Sequence, residues 1–340
     1  MSQEINVLLY GLGAIGSFYA FILNRCDRVR LTVVARSNYD AVVKDGIFID
    51  SKNHGQHRFH PDHGTTPLAF SPLYQTTPTH TDLIRSPSEA STKFDYVVCA
   101  HKAVDPAGAI TPLDPVIHEQ ATIVVLQNGV GNEDPFRARW PAVTILSGVV
   151  WVGAAQPTPG NITHTGSELT ELGLFPNPTL DAKLEQTRLE TFTTLLTAGG
   201  TNIKVFDDIQ PRRWEKVVWN AAWNPITTLT DQDVASWLSS SADAVDYTRR
   251  IMGEVIAVAA AVGVELREGL VEELLERVNG LGALRTSMQA DREGGRGMEV
   301  EVILGTPVRR GRELGVDVSG IEGLYVLLTA LNRKILGRTQ

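Results

Sequence analysis

Lys216, Asn220 and Asn224 recur at four-residue intervals, the spacing that sets side chains along one face of an α-helix over ~12 Å. An ammonium and two carboxamides in one stripe would grip a polar ligand. The residues between them, Val217, Val218, Trp219, Ala221, Ala222 and Trp223, are apolar, so such a helix is buried and its stripe must be met by a partner or a ligand. Two structural readings stand beside the ligand: the asparagines pair across a helix interface, or Lys216 answers Glu215 or another acid. A second group lies near the start of the chain. Gly11-Leu12-Gly13-Ala14-Ile15-Gly16 follows the apolar run Asn6 to Tyr10 and precedes Ser17 to Leu23, which has helical spacing. This is G-x-G-x-x-G in the strand-to-helix setting that holds a dinucleotide pyrophosphate. Gly11 permits the tight turn, Gly13 lets the anion approach the backbone, and Gly16 allows helix and strand to pack closely, while the helix N-terminus offers free N–H groups.

The elements that would carry these residues can be read around them. Short runs rich in β-branched residues, Asn6 to Tyr10, Leu31 to Ala35, Tyr96 to Ala100, Thr122 to Gln127 and Thr144 to Trp151, alternate with helical segments, the pattern of βαβ units and a parallel sheet. Ser51 to Lys93 is crowded with Pro, Thr, Ser and His and reads as a surface insertion carrying at most a hairpin. Gly160 to Gly166 reads as strand and turn, Asp181 to Thr197 as a helix, and Asn202 to Val205 as a last strand. Beyond Pro211 the periods are helical: Trp214 to Thr228, Ala242 to Ala261, Leu266 to Val278 and Ile321 to Leu336. The expected fold class is therefore α/β, with an N-terminal Rossmann-type dinucleotide-binding domain over residues 1–206 and an all-helical substrate domain over 207–340. Ligand would lie in the cleft between them.

At the end of the second expected strand an NAD-binding chain usually carries an acidic residue for the ribose 2′-hydroxyl. Here Arg36 and Ser37 stand there, a guanidinium and a hydroxyl suited to a 2′-phosphate, so NADPH is the expected cofactor. A solvated arginine is the alternative. Lys102 and Asn128 each follow a strand at the carboxyl edge, where ligands of open α/β sheets collect, and are candidates for the ribose and nicotinamide end. Gly129 and Gly131 would let the turn after Asn128 run close to the cofactor.

Composition narrows the function classes. With 340 residues, 43% hydrophobic and 21% charged, the chain is of ordinary globular type and long enough for two cores. A formal charge of −8 opposes nucleic acid or an anionic membrane as partner. Cys26 and Cys99 are the only cysteines, without metal-ligand spacing, and read as core thiols in a reducing compartment. No targeting segment or ~20-residue apolar span is expected, which points to the cytoplasm.

Taken together, Gly11 to Gly16, Asp95 to Ala103, Leu126 to Gly131, Lys216 to Pro225, and Ser287 to Asp291 followed by Glu299 resemble the ketopantoate reductase (2-dehydropantoate 2-reductase) family over nearly the whole chain. The Lys-x3-Asn-x3-Asn-Pro and Ser-x3-Asp-x7-Glu elements are the more specific ones. The resemblance implies a general acid at Lys216 and a substrate-bonding carboxylate at Glu299. Hydride transfer to a 2-oxo carbon leaves an alkoxide, which a nearby ammonium would stabilise and protonate. Glu299 would accept from the substrate or Lys216; Asn128, Asn220, Asn224 and Ser287 would supply neutral donors to a small anionic 2-oxo acid. The expected reaction is NADPH-dependent reduction of a 2-oxo acid, with ketopantoate foremost. A non-catalytic NADPH sensor, or a reductase of another carbonyl or imine, is the rival. Helical second domains of this kind often dimerise.

Other patterns point less far. His54, His57, His60 and His63 recur every three residues but sit among Gly and Pro without organising acids, so they read as an exposed polar loop, and no metal is expected. Glu299 itself lies in the run Met298-Glu299-Val300-Glu301 and could be a surface residue. Arg292 to Gly297 reads as a glycine-rich linker, and Arg309 to Glu313 as a solvated helix face. Pro307 falls where the family continues a helix, so that helix must kink or restart there.

Overall fold

The structure, a computed structural model, describes residues 4–61, 81–280 and 282–337. His63 of the histidine tract lies outside them. The strands are β1 Ile5–Tyr10, β2 Val29–Val34, β3 Ile47–Ser51, β4 Gly55–Phe59, β5 Thr81–Ile84, β6 Tyr96–Cys99, β7 Thr122–Val125, β8 Thr144–Val150, β9 Ala154–Thr158, β10 Asn161–His164, β11 Thr170–Phe175 and β12 Ile203–Val205. The helices are α1 Ala14–Asn24, α2 Tyr39–Asp45, α3 Glu133–Arg139, α4 Ala182–Gly199, α5 Gln210–Thr230, α6 Val234–Leu238, α7 Ala244–Ala261, α8 Leu270–Asn279, α9 Ser287–Glu293, α10 Thr306–Leu314 and α11 Ser319–Leu336. The chain divides into two compact units. One comprises Met1–His101, Ile110–Gln127 and Glu133–Ile209; the other comprises Lys102–Ala109, Asn128–Asn132 and Gln210–Gln340.

In the first unit an eight-stranded sheet runs β12-β11-β8-β7-β6-β1-β2-β5. All its pairs are parallel except β8 with β11. Chain order reverses between β1 and β6, the switch point where ligands of doubly wound sheets bind. The two-residue period of β1 divides its side chains between faces. Val7 and Leu9 join Phe18 and Ile22 of α1 and Leu189 and Phe192 of α4 in one core, while Leu8 and Tyr10 join Ile110, Leu113 and Phe136 in another.

Several strands, β3, β5, β9 and β11, were not expected from the sequence. Thr81–Ile84 pairs with β2, Leu31 opposite Thr81, so the Ser51 to Lys93 region is more than a surface insertion with a hairpin. Only Thr81 and Leu83 of that edge strand are buried, too few for a periodic signal. β11 was hidden by Glu171 and Gly173, which break its apolar run. The buried Glu171 carboxylate is accommodated by the Trp151 indole N–H at 2.9 Å.

A smaller sheet, β4-β3-β10-β9, is tied to the first by a polar cluster that absorbs part of the histidine tract. Glu168 accepts from Asn53 Nδ2 at 2.7 Å and from His54 Nε2 at 2.9 Å, and Arg25 Nη1 lies 3.2 Å from His54 Nδ1. Because arginine can only donate, His54 Nδ1 accepts there, and Nε2 donates to Glu168. His57 Nε2 donates to the His54 carbonyl at 2.7 Å. Among the described residues no group of three or more His, Cys, Asp or Glu is placed to hold a metal ion.

The second unit is helical around one core. α5 is its axis and packs against α7, α9 and α11. The chain is already helical at Val300, passes through a π-turn at Glu301–Gly305 and enters α10 with Pro307 in its first turn. Proline has no N–H for the α-pattern and its ring crowds the carbonyl four residues earlier. The wider turn just before Pro307 is how this helix restarts. Among the described residues no helix is long and apolar enough to cross a membrane.

Burial opposes ionisation of Glu168, but hydrogen bonds from Asn53 and His54, with the Thr201 hydroxyl nearby, outweigh it and hold the carboxyl below its ordinary value of 4.5. A carboxyl lowered by folding contributes stability above the unfolded value and loses it as pH falls through the folded one. Glu168→Ala is therefore expected to cost on the order of 1–3 kcal/mol at pH 7, through the buried donors left behind. In thermal melts the gap to wild type should close as pH falls below 4.5; equal melting temperatures at pH 7 would contradict the role assigned to the cluster.

Candidate functional site

The glycine turn sits at the carboxyl end of β1. Gly11 has φ +104°, and a Cβ there would lie 2.7 Å from His101 Cβ and closer still to its backbone. At Gly16 a Cβ would lie 2.9 Å from the Gly11 carbonyl carbon. Gly13 differs: a Cβ there meets nothing within 4 Å, and as the N-cap of α1 it offers no side chain to the first-turn N–H groups. An exposed, uncapped helix N-terminus with space before it is a cradle for an anion. Leu12 is buried, Ala14 and Ile15 are half-buried, and the Leu12 carbonyl accepts from Asn38 Nδ2 at 2.5 Å. That asparagine brace was not singled out from the sequence. Arg36, just after β2, is exposed.

His101 and Gln127 follow β6 and β7, the next two strands of the sheet beyond β1. The Gln127 amide donates to the His101 carbonyl at 3.0 Å and to its Nε2 at 3.1 Å, and the imidazole tilts over the Tyr10 ring with centroids 4.6 Å apart. Burial and the Arg36 charge push His101 down to about 4 against a smaller upward pull from the Tyr10 backbone. The ring is neutral at physiological pH.

The polar stripe belongs to the second unit. Lys216 Nζ donates to Asn128 Oδ1 at 2.8 Å, and Asn128 Nδ2 donates to Glu299 Oε2 at 3.0 Å. The other Glu299 oxygen accepts from the Ala103 N–H at 3.2 Å. Lys216 and Glu299 are thus linked through Asn128, where the sequence left Glu299 to bond Lys216 or a substrate directly. Glu215 takes Arg212 and Arg267 instead of Lys216, and Glu299 is 8% exposed, so neither the Lys216–Glu215 pair nor a surface Glu299 holds. Glu301 is the surface acid of that run, bonded to Arg309.

The remaining residues of the set divide. Asn220 and Asn224 are buried on α5, and the Asn220 Nδ2 has no hydrogen-bond partner among the described residues. An unmet buried amide is costly. Ser287 is exposed in the first turn of α9, capped by Thr286, whose hydroxyl lies 2.9 Å from that of Thr227 on α5. Lys102 is ion-paired with Asp291, which also accepts from Arg296 Nε at 3.0 Å. Arg296 therefore closes the expected glycine-rich linker back onto α9. Arg309, Arg310 and Arg312 each meet a glutamate.

The Asn128 loop is fastened to the helical unit at several points. Asn132 Nδ2 donates to the Asn128 carbonyl at 2.7 Å, Arg213 Nη1 to the Gly129 carbonyl at 2.8 Å, and the Val130 N–H to the Val302 carbonyl at 3.0 Å. Gly129 has φ +94°, and a Cβ there would lie 2.5 Å from the Val302 carbonyl oxygen. The close approach expected of Gly129 toward a cofactor is, in the structure, an approach to Val302. Arg213 and Asp291 were missed as site residues, although Arg213 stands three positions before Lys216 and continues the α5 stripe.

Gly129→Ala should destabilise the protein by about 1–3 kcal/mol, from left-handed backbone and overlap with Val302. Gly13→Ala, at φ −79° in open space, should change stability little. Thermal melts of both variants check the contrast, and equal losses would contradict it.

Comparison with known proteins follows the same division. Residues 7–177 match the family model "Ketopantoate reductase PanE/ApbA", and residues 208–332 match "Ketopantoate reductase PanE/ApbA C terminal". A 2-dehydropantoate 2-reductase of Nostoc sp. is 25% identical over 97% of this chain and 96% of its own. The crystal structure of 2-dehydropantoate 2-reductase from Methylococcus capsulatus is 32% identical with TM-score 0.81, covering 97% of this chain and 98% of that one. The corresponding structure from Geobacter metallireducens is 27% identical with TM-score 0.80, covering 96% and 99%.

Proposed function

The chain belongs to the ketopantoate reductase family of NADP-dependent oxidoreductases, and from that premise we propose that it reduces a small 2-oxo acid, foremost 2-dehydropantoate, to the 2-hydroxy acid. The observation that carries this reading is the Lys216–Asn128–Glu299 chain of hydrogen bonds. It presents an ammonium, held by a neutral acceptor and backed by a buried carboxylate, to whatever enters beside it.

The residues present fit the cofactor. The open N-terminus of α1 at Gly13, shaped by Gly11, Leu12, Ala14, Ile15 and Gly16, would hold the pyrophosphate. Arg36 would pair with the 2′-phosphate. NADPH supplies the hydride when bound. The protein's own task is then the substrate oxygen: as charge develops there, Lys216 stabilises it and donates the proton from Nζ. Asn128 fixes the direction of that ammonium, and Glu299, anchored by the Ala103 N–H, fixes Asn128. Asn220, with its unmet amide, and Asn224 would bind the acid's carboxylate or hydroxyl, and Ser287 lies one helix away on α9. Lys102 would bind cofactor or substrate on leaving Asp291.

The net charge of −8 keeps nucleic acid and membrane surfaces off the list of partners. A homodimer through the helical unit and a cytoplasmic location complete the reading; the two buried free cysteines support a reducing compartment.

The test is nicotinamide absorbance with purified protein, NADPH and a panel of 2-oxo acids. Turnover should be greatest on 2-dehydropantoate, and Lys216→Ala should lower kcat/KM by roughly 10²- to 10⁴-fold. Tight NADPH binding without turnover of any oxo acid would overturn the proposal. Arg36→Asp should weaken NADPH by roughly 10- to 100-fold while sparing NADH, the worth of a charge-assisted bond; equal losses for both cofactors would exclude Arg36 from that role.

A further inference from the structure

Taking Lys216 and Asn128 as the proton-delivering pair proposed above, we infer that Arg213 is a positioning residue for the reaction, acting through the backbone of the Asn128 loop. Three observations lead to it. Arg213 is 2% exposed, an unusual place for a guanidinium, since long cations are seldom fully buried without a task. It sits on α5 one turn before Lys216, on the face that carries Lys216, Asn220 and Asn224. Its Nη1 donates to the carbonyl of Gly129, the residue that directly follows Asn128, at 2.8 Å.

The geometry assigns the consequence. Asn128 has to serve two residues at once, offering Oδ1 to Lys216 and Nδ2 to Glu299. A carboxamide can do this in one orientation only; turned over, it would set an amide N–H₂ against an ammonium and a carbonyl against a carboxylate. The bridge therefore depends on where the backbone that follows Asn128 is held. Asn132 holds the Asn128 carbonyl, while Arg213 and Val302 hold the next peptide from its two ends, at the Gly129 carbonyl and the Val130 N–H.

Gly129 makes the Arg213 contact consequential. Its left-handed φ and its tight approach to Val302 are accessible to glycine, but glycine also has the largest choice of other conformations. A fixed donor on its carbonyl removes that freedom. Because Arg213 and Lys216 are on one rigid helix, the same element sets both the ammonium and the loop whose side chain receives it. Nothing here requires Arg213 to touch substrate or cofactor.

The full-length protein and its Arg213→Met and Arg213→Lys variants provide the test, read by two measurements. In hydrogen exchange, the segment spanning residues 128–132 should exchange at least ~10-fold faster in Arg213→Met, while α7 is unchanged, and Arg213→Lys should restore most of the protection. In steady-state kinetics on 2-dehydropantoate, Arg213→Met should lower kcat by roughly 10- to 100-fold with KM for the oxo acid within about threefold, as expected when orientation rather than binding is lost. Arg213→Lys should recover part of kcat.

Wild-type exchange in the loop of Arg213→Met overturns the inference whatever the turnover. So does a loosened loop with undiminished kcat, or equal rate losses in both variants that follow a falling melting temperature. Should Arg213→Met fail to fold, Arg213→Gln is read the same way. Absence of turnover in the wild-type protein would count against the proposed reaction alone, since loop exchange still decides whether Arg213 holds Asn128 in place.

Discussion

One carboxamide, that of Asn128, ties together a base-bearing helix and a buried acid, and the second unit is arranged around its two hydrogen bonds. Lys216 on α5 and Glu299, just before the π-turn, carry opposite charges but are joined through the amide rather than paired directly. A direct pair would set the carboxylate itself against the ammonium. An interposed amide directs the ammonium through a neutral acceptor instead. The energies favour such an arrangement only if it is held rigidly: a hydrogen bond to a charged group is worth ~1.5–3 kcal/mol net, which mobile loop backbone would largely offset through ordering entropy.

That requirement accounts for features that otherwise look unrelated. Gly129 adopts left-handed backbone against Val302, Asn132 turns back onto the Asn128 carbonyl, and the fully buried Arg213 reaches the next peptide. The π-turn at Glu301–Gly305 follows directly on Glu299 and supplies, at Val302, both the wall against Gly129 and the acceptor for Val130. Pro307 is tolerated because the helix has already widened before it.

Much of this could be read from residue types and spacing. The glycine turn, the main parallel strands and the α5 stripe all rest on local periodicity, which a single sequence displays. Asn128, Lys216 and Glu299 could each be singled out, but not the order in which they bond, because an amide between two charges is a fact of tertiary placement. Arg213 was legible in principle, three residues before Lys216, yet it was not singled out. β5 and β11 escaped for a different reason. An edge strand with two inward residues and a strand interrupted by a buried glutamate carry too little alternation, and pairing decides both. The histidine tract read as an exposed polar loop, whereas His54 is half-buried and spent on Glu168 and Arg25.

The account rests on Asn128 directing the Lys216 ammonium, and the most direct measurement is the single-turnover rate of substrate reduction, with NADPH and 2-dehydropantoate saturating, in Asn128→Leu beside wild type. Leucine keeps the volume and removes both hydrogen bonds. A rate at least ~10-fold lower is expected, while a rate within about twofold of wild type would mean that Lys216 needs no such partner and that the bridge is only structural.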